Sequence, residues 1–215
     1  MDVIFAGFSP TPVPYLDGWR LQRDVHADVV AGRRTDTLIL LEHEATYTAG
    51  KRTEPHERPQ DGTPVIDVDR GGKITWHGPG QLVGYPIKRL HDPVDVIEHV
   101  RDMERRLIAA LRVHGVPGIQ VAGRSGVWVD TPTGQDKVAA IGVRVERGVT
   151  MHGFAVNADC DLSGFGGIVP CGITDAGVTT VSRIAGRPVH VRDLIGPILA
   201  AFDCEAAIDA VEVPA

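Results

Sequence analysis

The densest group of chemically useful side chains lies in residues 70–81, which read Arg-Gly-Gly-Lys-Ile-Thr-Trp-His-Gly-Pro-Gly-Gln. Four glycines and a proline share these twelve positions with an arginine, a lysine, a tryptophan, a histidine and a glutamine. Glycine lets a backbone approach a ligand closely or adopt positive φ, while the polar side chains supply hydrogen-bond donors and a group that transfers protons. The run is therefore predicted to form the floor of a site.

A candidate nucleophile occurs downstream at Cys171, between a proline and a glycine and after the glycine-rich residues 163–167. A cysteine on a turn among small residues can be reached by a substrate. Because the thiolate is the reactive form, such a site also needs a group that lowers the pKa of the thiol from about 8.5. A small, buried and unreactive cysteine is the alternative, and the local sequence leaves both open.

The other two cysteines show no sign of reactivity. Cys160 lies between two aspartates, whose charges are expected to raise the pKa of its thiol, and Cys204 lies near the C-terminus in no promising setting. Three cysteines without a Cys-x-x-Cys pair argue against a disulfide framework or a zinc knuckle. They favour the reducing cytoplasm instead.

Lys137 is a candidate for activating a thiol. It begins a predicted strand and is followed by small apolar residues at 139, 140 and 142, which suit the wall of a pocket. A partly desolvated lysine gives up its proton more readily and can exchange it with a thiol. A solvated lysine at the end of a strand is the alternative.

His77 and His152 each precede a glycine, in similar contexts. Two such histidines can be metal ligands, but no nearby cysteine or carboxylate completes a zinc-like spacing. Hydrogen-bonding or orienting roles in a pocket are predicted for both, and no metal is expected. The other seven histidines carry no signal.

Composition and motifs exclude several classes of partner. No Gly-x-Gly-x-x-Gly opens a helix after a strand, and no Walker-type Gly-Lys-Ser/Thr occurs. The net charge is −6, from 22 basic and 28 acidic residues, whereas a general nucleic-acid binder is more often basic. No apolar run approaches the roughly 20 residues that span a bilayer, and the N-terminus lacks a signal-peptide pattern. Neither nucleic acid nor membrane is expected as a partner.

Strands and helices are mixed along the chain, which predicts an α/β or α+β domain. The continuous apolar run at 37–41 is typical of a buried central strand, and residues 50–64 are predicted to be a surface loop. Strands are predicted at residues 2–8, 37–41, 65–68, 73–77, 82–86, 126–129, 138–145 and 150–157, the last two forming a hairpin around 146–148.

Three amphipathic helices complete the prediction. The first covers 15–31. The second is opened by Asp92 as N-cap with Pro93 at the first helical position, and Gly115 is its C-cap. The third covers about 191–202, where Pro197 should introduce a kink or delay the start. With 215 residues, 43% of them hydrophobic, one domain is expected, with a small subdomain from about residue 179 as the alternative.

Taken together, these segments resemble the lipoyl(octanoyl) transferase family over about residues 37–183. Each piece is common by itself, but their combination and order are specific. The matching motifs are Arg70-Gly71-Gly72 with Thr75, His77-Gly78-Pro79-Gly80-Gln81, Tyr85-Pro86, Ser125-Gly126-Val127-Trp128, Lys137 with Ile141-Gly142, His152-Gly153-Phe154 with Asn157, and Pro170-Cys171-Gly172.

The resemblance implies the fold of biotin and lipoate ligases, a mixed β-sheet flanked by helices, in one catalytic domain of residues 1–215. It assigns Cys171 as nucleophile and Lys137 as its activator, without a cofactor. Orienting roles are expected for Gln81, His152 and Asn157. Substrate contacts are implied for Arg70, Gly71, Gly72, Lys73, Ile74, Thr75, Trp76, His77, Ala140, Ile141, Gly142, Gly153, Phe154 and Ala155.

The activity implied by the resemblance is octanoyl transfer, the first step of protein lipoylation. The donor would be octanoyl-acyl carrier protein, and the acceptors would be the lipoyl domains of 2-oxoacid dehydrogenase E2 subunits and the glycine-cleavage H protein. Because the donor is a thioester and the acceptor an amine, an enzyme thiol can divide the transfer into two steps. The alternatives are an ATP-dependent lipoate or biotin ligase, which needs no nucleophilic cysteine, a thioesterase, and a non-catalytic acyl-binding protein.

Charge gives one further expectation. Acyl carrier proteins and lipoyl domains are typically acidic, and this chain is net acidic too. A local basic rim near the site would let them dock. The residues predicted to form it are Lys51, Arg52, Arg58 and Lys73.

Overall fold

A computed structural model describes residues 1–60, 62–132, 134–168 and 176–204. The strands are β1 (Asp2–Gly7), β2 (Thr37–Leu41), β3 (Thr46–Ala49), β4 (Val65–Asp67), β5 (Thr75–His77), β6 (Gln81–Ile87), β7 (Ile119–Val121), β8 (Arg124–Thr131), β9 (Gly134–Glu146), β10 (Val149–Asn157) and β11 (Gly177–Val178). The α-helices are α1 (Tyr15–Val30), α2 (Val96–Arg112), α3 (Val181–Ala185) and α4 (Val191–Ala201), and short 3₁₀ helices cover Pro55–Glu57 and Leu162–Phe165.

Within these residues the strands form a large mixed sheet and a small one. The large sheet has the order β1-β2-β6-β10-β9-β8-β7, with β11 beside the first part of β9. The β1–β2 and β9–β11 pairs are parallel, and the other pairs are antiparallel. The small sheet has the order β4-β3-β5. The predicted mixed sheet with flanking helices is confirmed, as is the hairpin, which joins β9 and β10.

Both faces of the large sheet are buried, and β2 shows why. Successive side chains of a strand point to opposite faces. Leu38 and Leu40 pack in the cluster that includes α2 and α4, whereas Ile39 and Leu41 pack in the cluster that includes α1. Every residue of β2 is buried, so positions 38–41 are apolar and the Thr37 hydroxyl donates to the Thr35 carbonyl. The predicted strand at 37–41 is confirmed with its bounds.

The second helix begins later than predicted. It starts at Val96, and its N-cap is Asp95, whose carboxylate accepts the Glu98 N–H at 2.9 Å. Asp92 and Asp95 are both favourable N-cap residues, and only the second lies next to the helix. The prediction of Asp92 as N-cap with Pro93 at the first helical position is wrong.

The last helix accommodates its proline. It begins at Val191, so the start is not delayed, and Pro197 lies inside it. Proline has no N–H to donate to the carbonyl four residues earlier. That carbonyl, of Asp193, lies 3.2 Å from His114 Nε2, so a side chain replaces the missing donor. α4 shares its hydrophobic cluster with α2 and the large sheet.

The segment 50–64 was expected to be a surface loop, but part of it is ordered and buried. It contains the 3₁₀ helix Pro55–Glu57, and Glu57 is only 1% exposed. The buried carboxylate forms an ion pair with Lys73, which ties this segment to residues 70–77. The predicted surface loop is therefore confirmed for most of the described residues, and Gly50 and Glu57 are the buried exceptions.

Candidate active site

A cavity of about 580 Å³ crosses the large sheet over β8, β9, β10 and β6. Its wall is completed by Tyr15 of α1, by the N-terminal half of α2 and by parts of the segment 70–77. Ligand sites in proteins commonly measure about 300–1,000 Å³. The cavity therefore has the size of a small-molecule site, and the glycine-rich run contributes one side of it.

The guanidinium of Arg70 shapes the glycine-rich run. It is buried and donates to the carbonyls of Gly71 (3.1 Å) and Lys73 (2.9 Å). It also donates to the carbonyl and the hydroxyl of Thr48, both at 3.0 Å. Four acceptors fix this charged group in place, so its first role is to hold the run against β3, and its charge adds to the cavity wall.

Two glycines allow backbones to approach closely around the cavity. A Cβ on Gly142 would lie 3.0 Å from Cδ of Arg70 and 3.2 Å from the Gly71 carbonyl oxygen. A Cβ on Gly153 would clash with the Gly84 carbonyl oxygen of β6. Glycine is thus required where β10 meets β6, and a larger residue would be crowded where the run meets β9.

His152 is held between α1 and Asp69. Its backbone N–H donates to Gln22 Oε1 at 2.8 Å, and its Nε2 lies 2.7 Å from Asp69 Oδ1. A carboxylate only accepts, so Nε2 carries the proton. The same carboxylate forms an ion pair with Arg144. Burial, followed by the charges of Arg70 and Arg144, lowers the pKa of His152 to about 3, which keeps the ring neutral at physiological pH.

A second group of aromatic side chains forms a histidine–tyrosine cluster (Tyr15, His43, His77 and Tyr85). His43 Nδ1 lies 2.8 Å from the Val13 carbonyl, which only accepts, so Nδ1 carries the proton. His43 Nε2 then accepts the Tyr85 hydroxyl at 2.6 Å. The rings of Tyr15 and His77 are stacked with centroids 5.9 Å apart. All of the cluster except His43 lines the cavity.

The histidine–tyrosine cluster carries no charge at neutral pH. Burial lowers the pKa of His43 to about 4 and that of His77 to about 3. It raises the pKa of Tyr15 to about 12 and that of Tyr85 well above its ordinary value. This part of the wall therefore suits an uncharged ligand.

Lys137 brings a buried amine to the cavity. β9 begins at Gly134, because residues 134–136 continue the pairing with β8, so the prediction that the strand begins at Lys137 is wrong. Lys137 is 7% exposed, and its Nζ lies 4.6 Å from the ring centroid of Trp128 on β8. A cation is stabilised over an indole face, so the Trp128 ring favours the ammonium form of this amine whenever the amine holds a proton.

Glu104 is the carboxylate of the described cavity wall. It is fully buried in α2, accepts the Gly126 N–H at 2.9 Å and pairs with Arg101 at 2.6 Å. Its charge is thereby compensated within the protein. Glu104 thus joins α2 to the first part of β8, and it lines the same cavity as Lys137.

Most of the predicted substrate contacts meet at this cavity, together with Lys137 and His152. Those in the described wall are Arg70, Gly72, Lys73, Thr75, His77, Ala140, Ile141, Gly142, Gly153, Phe154 and Ala155.

The other predicted residues lie elsewhere. Ile74 and Trp76 pack in an apolar cluster with Cys160, Phe165 and Ile168. Gly71, Gln81 and Asn157 lie outside the described wall. Cys171, with Pro170 and Gly172, lies outside the described residues.

Three residues of the site, Tyr15, His43 and Glu104, are not predicted from the sequence. The role of His43 depends on Tyr85, 42 positions away, so no local pattern reveals it. One signal was available: the polar Glu-His-Glu that directly follows the apolar run of β2.

The residues of the predicted basic rim differ in their surroundings. Arg58 and Lys73 form ion pairs with neighbouring carboxylates, whereas Lys51 and Arg52 are exposed. Arg52 also lines the cavity. The cationic residues of the described wall are Arg52, Arg70, Lys73, Arg101, Arg124 and Lys137.

Across the described ranges, no group of three or more His, Cys, Asp or Glu side chains is arranged to hold a metal ion. In the same residues, no helix combines the length and the apolar character needed to cross a bilayer.

Comparison with known proteins gives close relatives. The family described as the lipoyl protein ligase A/B catalytic domain matches residues 14–203. The chain is 58% identical to an octanoyltransferase of Clavibacter sepedonicus, over 93% of this chain and 88% of that protein. It is 60% identical to an octanoyltransferase of Salinispora tropica, over 84% and 86% respectively, and 57% identical to one of Mycobacterium avium, over 90% and 83%.

Solved structures show the same fold at low sequence identity. A bipartite lipoate protein ligase from Thermoplasma acidophilum superposes with a TM-score of 0.69 at 15% identity, covering 95% of this chain and 83% of that one. A lipoate-protein ligase A bound with ATP gives 0.68 at 15% identity, over 95% and 85%. A biotin protein ligase from Aquifex aeolicus gives 0.54 at 12% identity, over 97% and 72%. The predicted architecture of lipoate and biotin ligases is thereby confirmed.

Proposed function

The chain belongs to the lipoyl protein ligase A/B catalytic-domain family, and from this premise we propose that it moves an octanoyl group from an acyl carrier protein to a lysine of a lipoyl domain, through a thioester on Cys171. Its relatives at 57–60% identity are octanoyltransferases, so the chain is an acyltransferase. The observation that carries the finer proposal is the buried amine of Lys137 in the wall of a cavity of small-molecule size.

The cavity offers an octanoyl chain an uncharged surface. Small and apolar residues of β9 and β10, among them Ala140, Ile141 and Phe154, line it. Each buried methylene contributes about 0.8 kcal/mol, so burial of the chain supplies roughly 5 kcal/mol. The histidine–tyrosine cluster is neutral, so its own side chains present no desolvated charge to the acyl chain.

In the first step, Lys137 Nζ takes the proton of the Cys171 thiol and stabilises the thiolate as an ammonium. The thiolate attacks the thioester carbonyl of the donor, and the tetrahedral intermediate expels the carrier thiolate. The ammonium returns its proton to that leaving group. The products are octanoyl-Cys171 and the free carrier thiol, so atoms and charge balance.

In the second step, the neutral amine of the acceptor lysine attacks octanoyl-Cys171. Lys137 accepts a proton from this amine as the amide forms, and Cys171 leaves as a thiolate. The acceptor then carries an octanoyl amide, and the ion pair of Cys171 with Lys137 is ready for another donor.

The neighbouring imidazoles are poor substitutes for Lys137. Burial lowers the pKa of His77 and of His152 to about 3. A general acid or base works best when its pKa lies near the operating pH. These rings therefore serve as neutral hydrogen-bonding groups, and the proton transfers are assigned to the amine.

The proposal is tested by intact-mass spectrometry after incubation with octanoyl carrier protein. We expect a mass increase of one octanoyl group that hydroxylamine removes and that is absent in Cys171→Ser. Cys160→Ala is the matched control, because burial, aided by the charge of Asp159, raises the pKa of the Cys160 thiol to about 12. The control should retain the adduct. Absence of an adduct in the folded wild-type protein contradicts the mechanism.

The same preparation separates the two rival activities. Octanoylation of an acceptor by Cys171→Ala with octanoate and ATP would indicate a ligase. Release of free octanoate by the wild-type protein without an acceptor would indicate a thioesterase. We expect neither.

The acceptors proposed are the lipoyl domains of 2-oxoacid dehydrogenase E2 subunits and the glycine-cleavage H protein, with the chain acting as one catalytic domain in the cytoplasm. Transfer is expected to each of these acceptors and to be lost when their target lysine is replaced by arginine, as measured by peptide mass spectrometry.

A further inference from the structure

A chain of hydrogen bonds between buried groups leads from the cavity wall to the strand of Lys137. His77 Nδ1 lies 2.7 Å from Gln81 Oε1, and Gln81 Nε2 lies 2.9 Å from Asn157 Oδ1. Asn157 Nδ2 donates to the Thr179 carbonyl at 3.0 Å. The Thr179 N–H in turn donates to the Lys137 carbonyl at 3.0 Å. Successive hydrogen bonds thus connect an imidazole of the cavity with the backbone of the proposed proton acceptor.

Backbone carbonyls fix the direction of each hydrogen bond in this series. The Thr179 carbonyl only accepts, so the amide nitrogen of Asn157 faces it and Oδ1 faces Gln81. Gln81 Nε2 also donates to the Trp76 carbonyl at 3.3 Å, which orients this amide in the same way. Gln81 Oε1 therefore accepts from His77 Nδ1, and Nε2 of His77 is left without a proton.

The side chains that form this series of hydrogen bonds are buried away from water. Gln81 is 1% exposed, Asn157 4% and His77 7%. A buried amide that loses its partner cannot replace it with solvent. Each hydrogen bond consequently constrains the next, and a change at one member is felt at its neighbours.

Asn157 lies where one partner of β9 ends and another begins. β10 pairs with β9 up to the register of Val156 with Ala139, and β11 pairs with β9 only at Asp136 and Lys137. Asn157 is the last residue of β10, and Thr179 directly follows β11. The side chain of Asn157 thus bridges the break in the sheet beside Lys137.

We propose that Asn157 is a positioning residue for Lys137, holding Thr179 against β9 so that the amine keeps its place in the cavity wall, while Gln81 transmits the same constraint to His77. The inference rests on the proposed function, in which Lys137 exchanges a proton with Cys171. Such transfer requires heavy atoms about 2.6–3.2 Å apart, and a displacement of about 1 Å can cost roughly a hundredfold in rate. Loss of the Asn157 amide is therefore expected to slow acylation rather than weaken donor binding.

The test compares the full chain with Asn157→Asp and Asn157→Ala. The aspartate keeps an acceptor for Gln81 but sets a carboxylate oxygen against the Thr179 carbonyl. The rate of octanoyl-Cys171 formation should fall about tenfold or more, with the KM for octanoyl carrier protein within about twofold of wild type. Amide exchange at Thr179 should quicken. The pH midpoint for iodoacetamide alkylation of Cys171 should rise, because a displaced ammonium stabilises the thiolate less.

Thr150→Val is the matched control. Thr150 lies on the same strand, β10, is fully buried, and donates to the Pro86 carbonyl at 2.6 Å. This variant also loses a buried hydrogen bond, so it should be destabilised, but its alkylation midpoint should match that of the wild type. A purely structural role for Asn157 predicts that both variants lose rate in proportion to stability, with no shift of the midpoint.

Three outcomes have distinct meanings. The positioning role is overturned if Asn157→Asp shows faster amide exchange at Thr179 but keeps the wild-type alkylation midpoint and acylation rate. The same midpoint shift in Thr150→Val overturns it too. If the wild-type protein is not acylated, while amide exchange at Thr179 is still faster in Asn157→Asp, the thioester mechanism is overturned instead.

Discussion

Two parts of the cavity treat charge in opposite ways. Beside β6, the histidine–tyrosine cluster holds four titratable side chains that are neutral at pH 7. On the other side of β10, the cavity wall is formed by β9 and β8 together with α2, and it carries Lys137, Arg124 and Arg101. One continuous cavity therefore joins a region whose titratable side chains are neutral, the uncharged region, to a cationic region. The buried Arg70 of the glycine-rich run borders the uncharged region and acts on the pKa values of Tyr15, His77 and Tyr85.

The difference lies in what each buried group has for a neighbour. In the cluster, the neutral Tyr85 hydroxyl donates to the neutral His43 ring. Burial makes the charged form of either group costly in free energy. In the cationic region, Lys137 lies over the Trp128 ring and Arg101 pairs with Glu104. Burial alone does not decide the charge of a group; the compensating neighbour does. An acyl chain and its thioester carbonyl would find matching surroundings in these two regions.

Removing the cation at the centre of the cationic region is expected to have the largest effect. Lys137→Met should slow formation of octanoyl-Cys171 about 10²- to 10⁴-fold, the usual contribution of a positioned proton-transfer group. The uncharged region is unchanged, so affinity for the donor should change little. Single-turnover kinetics with intact-mass detection measures both.

Two further variants interpret that result. Lys137→Arg keeps the charge, but a guanidinium does not release its proton in proteins, so transfer to the acceptor should remain slow. Lys88→Met removes a lysine outside the described cavity wall and should keep wild-type rates. Wild-type acylation by Lys137→Met would assign the proton transfer to another group.

The buried neutral histidines, two of them in the uncharged region, are expected to make the fold sensitive to acid. The pKa of His43 is lowered to about 4, and the pKa values of His77 and His152 are lowered to about 3, whereas an unfolded histidine has about 6.5. Below pH 6.5 the unfolded state therefore binds more protons, and stability is lost as the pH falls toward 4 and then 3. His99, with its pKa lowered to about 4, adds to the loss.

One pKa unit corresponds to about 1.4 kcal/mol, so the loss should reach several kcal/mol. Urea unfolding between pH 7.5 and 4.5 measures it. His43→Gln keeps a donor for Val13 and an acceptor for Tyr85, and should flatten the pH slope. His91→Asn, at an exposed histidine, should leave the slope as in wild type. Equal slopes in wild type and His43→Gln would remove His43 as a cause.

The sequence predicts the two regions to different degrees because their interactions differ in range. The strand 37–41 is predicted with its bounds, since burial on both faces selects the continuous apolar run at 38–41. The glycine-rich run is recognisable because close backbone approach leaves a compositional mark. The start of α2 is missed because Asp92 and Asp95 are equally good N-caps by type, and only the packing of the helix selects Asp95.

Within the site, Lys137 is predicted as a candidate from its small apolar neighbours, but its burial is not. The amine lies over the ring of Trp128, which pairs with Lys137 across β8 and β9. His43 is missed for a related reason, since its protonation state depends on Val13 and Tyr85, 30 and 42 positions away. Long-range hydrogen bonds of this kind leave no local sequence pattern.

The smallest expected effect concerns the outer end of the cationic region. Arg52 is exposed at the cavity, whereas Arg58 and Lys73 are engaged in ion pairs, so Arg52 is the better candidate for meeting an acidic carrier. An exposed charge pair contributes about 0.2–1 kcal/mol. Arg52→Glu should accordingly raise the KM for octanoyl carrier protein a few-fold at low salt, and salt should abolish the difference.

A small uncharged thioester, octanoyl-N-acetylcysteamine, distinguishes docking from chemistry. Its KM should be the same for wild type and Arg52→Glu, because it carries no acidic protein surface to be attracted. Equal changes with both donors would place Arg52 in acyl binding instead. The cationic region would then act on the thioester itself, and the contrast with the uncharged region would be confined to the interior of the cavity rather than extending to the surface where the carrier arrives.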